Sequence, residues 1–151
     1  MMRSALGFAL PLVLIAAPAM AAPWTLTVNR QEAILSDGDD SGEDAATTLM
    51  CKPKSGKVDV SFFLEKRVGE APKGGQLTAV SGAVTAQFAA RSNPEEMYGG
   101  SEVHATIPAT APVLAAFAKT GALRLTAFGV TARGGKVPVA KAAGLVKACS
   151  K

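Results

Sequence analysis

The sequence contains few of the side chains that usually carry catalysis. Among its 151 residues there are one histidine, His104, and two cysteines, Cys51 and Cys149. A nucleophilic serine needs a base within reach, and no G-x-S-x-G motif is present to supply that serine. An ordinary zinc site needs more His and Cys ligands than this chain offers. We therefore expect no catalytic residue and no cofactor, with His104 on the polar face of a strand.

Long hydrophobic runs are also missing, except at the N terminus. Arg3 gives a positive start, residues 5–17 are mainly apolar, and Ala-Met-Ala at 19–21 matches the small-x-small pattern of signal peptidase sites. The run is too short to span a membrane. We expect residues 1–21 to be a secretory signal peptide, cleaved at its end or one residue later. Residues 22–151 are then a single periplasmic or secreted domain.

Aromatic side chains make up only 5% of the residues, so the core must be built mainly from Val, Leu, Ile and Ala. Alternating polarity, clearest over 58–64, predicts which side chains point inward. In the segment after Thr110, apolar residues at helical spacing predict which side chains are buried. The expected core residues are Val58, Val60, Phe62, Leu64, Val103, Ile107, Val113, Leu114, Phe117, Leu123 and Leu125.

Many short alternating segments, separated by Gly, Pro and Asp, predict a β-rich chain. Two helices are expected, one capped by Thr110 and closed by Gly121, the other over 140–148. A turn or a single helical turn is expected at 92–96. A second turn is expected at 133–136, in a terminal hairpin whose second arm is Val137-Pro138-Val139. The predicted fold is a β-rich α+β domain, either an antiparallel sheet or a β-sandwich-like arrangement, with one or two short helices.

The two cysteines favour a disulfide. Export to an oxidising compartment and an even cysteine count together predict a Cys51–Cys149 bridge, and two buried free thiols are the alternative. The bridge would tie a central strand to the C-terminal segment. A loop of this length stabilises a fold by roughly 4–5 kcal/mol in the chain-entropy model.

Charge is unevenly spread along the chain. Residues 22–50 contain six acidic residues and one arginine, whereas residues 103–151 contain seven basic residues and no acidic one. A basic C-terminal third can bind an acidic protein, an anionic glycan or an anionic lipid. The candidate partner-binding residues are Arg133 and Lys136. The alternative is that the acidic segment folds over the basic third and neutralises it. Nucleic acid is not expected as a partner.

The acidic segment itself is the most specific local pattern. Residues 37–42 match the start of a calcium-binding loop, but Thr48 stands where the twelfth position requires glutamate, and no helix is predicted ahead of Asp37. A non-helical calcium loop is one hypothesis, and a solvated connection between strands is the other. The ligands of such a calcium loop would be Asp37, Asp39, Asp40 and Asp44.

The order of these features resembles that of a family of exported proteins. The features are an early Trp24, Cys51 on a central strand, Gly99-Gly100-Ser101 before a strand, a helix over 110–121, a strand over 123–129 and a closing segment that ends in Cys149. This layout is similar to small proteobacterial proteins of the invasion-associated locus B type and to accessory proteins of type VI secretion. The resemblance implies a compact β-sandwich-like periplasmic domain, and it transfers no functional residue.

Export, a disulfide and the lack of a catalytic constellation point to a non-enzymatic binding or accessory protein. Its expected partner is another envelope or secreted protein. One alternative is an inhibitor of a hydrolase such as lysozyme, because a basic enzyme would be attracted by the acidic segment. A second is a small serine-type hydrolase with a base other than histidine.

Overall fold

The computed structural model describes residues 23–38, 46–68, 74–96, 99–132 and 135–151. Several predictions fall outside these ranges: the signal peptide, the calcium-ligand candidates Asp39, Asp40 and Asp44, and the partner-binding candidate Arg133.

Within the described ranges the chain forms nine strands and two helices. The strands are β1 (Thr25–Val28), β2 (Ala33–Ser36), β3 (Thr47–Cys51), β4 (Lys57–Leu64), β5 (Gly75–Ser81), β6 (Val84–Pro94), β7 (Ser101–Pro108), β8 (Arg124–Ala127) and β9 (Val130–Thr131), and the helices are α1 (Pro112–Thr120) and α2 (Val139–Cys149). All neighbouring strands are antiparallel, in the order β1-β2-β3-β4-β7-β6-β5-β8-β9. This curled sheet with two helices confirms the predicted β-rich antiparallel fold.

Both helices lie on one face of the sheet. Helix α1 packs on β5 and β6, α2 packs on β1 to β4, and the two helices contact each other. The alternation in β4 buries Val58, Val60, Phe62 and Leu64 beneath them, because successive side chains of a strand point to opposite faces. All the predicted core residues are buried except Leu123, which is half-buried against the same core.

Helix α1 begins one residue later than the sequence predicts. Its N-cap is Ala111 and it has no side-chain cap, so the assignment of Thr110 was wrong. The reason is a turn in which the Ala111 N–H donates to the Pro108 carbonyl at 2.8 Å, which places Thr110 before the helix. Pro112 occupies the first turn, where a missing N–H costs no helical bond. Gly121 ends the helix in the left-handed conformation (φ 67°), as predicted.

The prediction for 92–96 is wrong at its start, because residues 92–94 belong to β6, whose last residue, Pro94, pairs with Ser101. The predicted second arm of the terminal hairpin, Val137 to Val139, is also wrong, because these residues form no strand and α2 begins at Val139, while the predicted turn at 133–136 lies partly outside the described residues. A hairpin is instead formed by β8 and β9, which turns at Phe128-Gly129. Both turn residues have positive φ, 52° and 75°, as a two-residue hairpin of this twist requires.

The predicted Cys51–Cys149 disulfide is present, with a Cα–Cα distance of 5.7 Å. Helix α2 carries Cys149 onto β3, and two backbone hydrogen bonds fix the junction: the Lys54 N–H donates to the Ala148 carbonyl at 2.8 Å, and the Gly56 N–H donates to the Cys149 carbonyl at 2.9 Å. The end of α2 and the turn after β3 are therefore held as one rigid corner.

Candidate functional site

A depression on the sheet lies where one strand changes its partner. The first part of β6 pairs with β5 up to Ala90, and from Ala90 onward β6 pairs with β7. The end of β7 continues along β4, as far as the pair Lys57–Pro108. A groove of about 890 Å³ opens beside this change of partner, lined by residues of β3, β4, β6 and β7. We call it the outer groove, because its charged side chains are on the face away from the helices.

Cross-strand pairing sets the order of its polar side chains. Arg91 lies opposite His104, and His104 lies opposite Ser61, so these three form a row across β6, β7 and β4. In the next row Thr106 is paired with Asp59. Apolar residues also line the groove, namely Met50, Phe88, Ala89, Ala90 and Ala105.

Two side-chain contacts hold the polar groups in place. His104 Nε2 lies 3.2 Å from Glu102 Oε2, with 32% and 44% of the two side chains exposed. The Thr106 hydroxyl donates to Asp59 Oδ1 at 2.6 Å. Contacts this exposed add little to stability, so their main effect is on side-chain orientation. The groove thus presents an arginine, two carboxylates and an imidazole around apolar surface.

The same geometry does not form an activated nucleophile. Ser61 is paired with His104 on the neighbouring strand, yet in the described part of the chain no hydroxyl hydrogen-bonds to the imidazole, and Nε2 is turned towards Glu102. Nucleophilic catalysis needs a base that can take the proton of the attacking group. The arrangement is suited to holding a molecule by charge and hydrogen bonds.

The other predicted site residues lie elsewhere. His104 is on the polar face of its strand, as expected, and forms part of the outer groove. Lys136 is exposed beside Arg124, in a different depression between β8 and the segment before α2. Within the described ranges, no cluster of three or more His, Cys, Asp or Glu side chains could hold a metal ion.

Asp37 is half-buried and closes the connection between β2 and β3. Its Oδ1 accepts the Thr47 N–H at 2.7 Å, and the Asp37 N–H donates to the Thr47 carbonyl at 3.2 Å. Burial raises the pKa of this carboxyl above its ordinary value of 3.8, although backbone hydrogen bonds from Thr47, Asp37 and Ala46 act in the opposite direction. This carboxylate therefore has a structural role in the fold.

Sequence reasoning identified His104 but missed Arg91, Asp59 and Glu102 as its neighbours. Alternation alone predicts that Asp59 and Glu102 are on polar strand faces. It does not predict that β4, β7 and β6 lie side by side, because strand pairing depends on contacts between distant segments.

No protein family model, curated protein or solved structure matches this chain. In the described part of the chain, neither helix is long and apolar enough to cross a membrane. A functional assignment therefore depends on the outer groove and the surfaces around it.

Proposed function

We propose that this protein is an exported, non-catalytic binding module that holds its ligand in the outer groove. The observation that carries the proposal is the combination of an open volume of about 890 Å³ with Arg91, Asp59, Glu102 and His104 on its walls. Concave surfaces with a few oriented polar groups around apolar contacts are typical ligand sites. The layout resemblance to exported proteins of the invasion-associated locus B type agrees with this interpretation.

The chemistry of the walls favours a peptide segment of another envelope or secreted protein. Arg91 can bind a carboxylate with two parallel hydrogen bonds, and Asp59 and Glu102 can accept from cationic or amide donors. Met50, which is 39% exposed, offers apolar contact beside these charged groups. A peptide presents both charges, amides and apolar side chains at short intervals, which matches this alternation.

The binding site can be tested with isotope-labelled protein and a library of short mixed-charge peptides. We expect the peptides that bind to shift the amide signals of β4, β6 and β7 around the outer groove. Arg91→Glu should weaken that binding by about tenfold or more, since a charge-assisted contact is typically worth 1.5 kcal/mol or more. Arg124→Glu is the matched control, because it makes the same charge reversal on β8, away from this groove.

Peptides whose signals map to other surfaces, or an equal effect of the two reversals, would contradict the proposal. Generic ester and peptide substrates test the enzyme alternative in parallel. A turnover that is lost on His104→Ala would show that the protein is an enzyme.

Export is the second part of the proposal, and it depends on the N-terminal sequence. Mass spectrometry of protein recovered from the cell envelope should give a new N terminus after position 21 or 22, as the Ala-Met-Ala pattern predicts. Recovery of mature protein that still begins at Met1 would argue against export.

A further inference from the structure

A second groove lies on the other side of the sheet, beside α2. It has a volume of about 750 Å³ and is formed by the end of β1, the turn after β3 and the last turns of α2. Its floor is mainly apolar, with Val28, Pro53, Gly144 and Ala148, and Val28 is 52% exposed. We call it the lysine groove, after Lys54, Lys147 and Lys151 on its rim.

The rim carries only positive side-chain charge. No aspartate or glutamate lines the lysine groove, and none occurs in 50–58 or 139–151, the segments that supply most of it. Lys52 and Lys57 are exposed at either side of the turn. Arg30 and Glu32, in the adjoining β1–β2 turn, offset each other.

These charges are fixed in relation to one another by the rigid corner. The disulfide and the backbone hydrogen bonds at Lys54 and Gly56 hold the turn after β3 against the end of α2. Lys54 itself adopts the left-handed conformation (φ 60°) within this turn and is exposed. The cationic cluster is thus a property of the folded, oxidised protein.

We propose that the lysine groove docks the protein onto a bilayer that contains anionic phospholipid. Lysine suits such a surface, because its long apolar stem can lie along lipid while its strongly hydrated ammonium stays in the headgroup layer. The apolar floor and the exposed Val28 would face the acyl boundary. A small phosphate ligand fits less well, since it requires oriented donors and gains nothing from an open apolar floor of this size.

The lysine groove and the outer groove are on opposite sides of the sheet. Membrane docking would therefore leave the outer groove accessible. Binding to vesicles and binding of a peptide in the outer groove can thus be tested independently of each other.

The test is co-sedimentation of the oxidised protein with vesicles of phosphatidylcholine and phosphatidylglycerol, against vesicles of phosphatidylcholine alone. We expect binding to the anionic vesicles only, decreasing as salt is added. Each lysine near an anionic surface contributes roughly fivefold to binding, so Lys54→Asn/Lys147→Gln/Lys151→Gln should reduce it by about a hundredfold. Asn is chosen at position 54 because it tolerates the left-handed conformation.

The matched control is Lys66→Gln/Lys119→Gln/Arg124→Gln, which removes the same charge from exposed positions outside the lysine groove. It should retain most of the binding, and Val28→Ser should weaken binding without changing its salt dependence. Circular dichroism confirms that each variant is folded. The proposal would be overturned if both triple variants lost binding equally, or if the protein bound neutral vesicles as well as anionic ones. It would also be overturned if the protein bound a soluble acidic polysaccharide but not the anionic vesicles.

Discussion

At the scale of single residues, Asp37 is a partly buried acidic group whose ionisation lowers the stability of the fold. Its carboxylate closes the β2–β3 connection, yet its surroundings favour the protonated form. Because the folded-state pKa is raised, ionisation lowers stability as the pH rises through that pKa, and the cost persists at neutral pH.

We therefore expect Asp37→Asn to raise the melting temperature slightly at neutral pH. Asparagine keeps an oxygen that can accept the Thr47 N–H but has no charge to desolvate. The gain should disappear in acid, below the ordinary pKa of the carboxyl. Thermal unfolding of both proteins across this pH range measures the difference. A gain that is independent of pH would mean that the charge of Asp37 is not the cause.

Gly100 lies where no room is left for a side chain. A Cβ atom added there would lie 2.2 Å from the Leu64 carbonyl oxygen and 2.4 Å from the Phe63 ring. Since the carbonyl belongs to a paired strand and cannot move aside, Gly100→Ala should destabilise the fold by about 1–3 kcal/mol.

Gly75→Ala is the comparison for this substitution. The three atoms nearest to its Cβ would all belong to the ring of Phe128, the closest at 2.4 Å, and a side chain on a turn can rotate away. Neither glycine has a positive φ, so backbone strain does not confuse the comparison. Urea unfolding should show the larger loss for Gly100→Ala. A larger loss for Gly75→Ala would show that the Phe128 ring is held more firmly than the Leu64 backbone.

At the scale of elements, strands with clean alternation were predictable and the connections between them were not. The side chains of β4 and β7 alternate between buried and exposed along their whole length, and their core residues follow from that. The segment before Pro94 contains turn-forming residues, yet it continues β6. Proline is tolerated there because β6 pairs with only one neighbour beyond Ala90. The turn at Phe128 carries no sequence signal, since phenylalanine rarely adopts positive φ.

Helix α2 is covalently attached to β3 by the disulfide. Cys51→Ala/Cys149→Ala should lower the free energy of unfolding by about 2–5 kcal/mol, as the loss of a native bridge typically does. The amides of α2 should lose protection from hydrogen exchange before those of β4 and β7, which share the longest ladder. Reduced wild-type protein is the control for the substitutions themselves. Unchanged melting after reduction would show that packing alone holds the helix.

At the scale of the whole molecule, strands distant in sequence and both helices share one core. Phe117 on α1 is fully buried and is the largest of the fully buried side chains in the described residues. It lines a small interior cavity together with Trp24, near the start of the described residues, and Val137, near their end. The order of the nine strands depends on such distant contacts, which is why a sequence-based prediction gave the fold class but not the arrangement.

Phe117→Ala should therefore destabilise the described fold as a unit, by about 3–5 kcal/mol. We expect a single unfolding transition with an unchanged dependence on denaturant, followed by fluorescence of Trp24 and by circular dichroism. Leu123→Ala, at a half-buried position of the same core, should cost less. Two separated transitions in the variant would show that α1 and its strands form an independent unit.

The disulfide also determines how the molecule would respond to mechanical force. Its cysteines are 98 positions apart, so β4 to β9 and both helices lie inside a closed covalent ring, whereas β1, β2 and most of β3 lie outside it. Force applied through the two ends of the chain would pass across the bridge and bypass everything within the ring. Pulling would extend only the outer strands, and about 340 Å of further contour length would stay hidden until a reductant opened the ring.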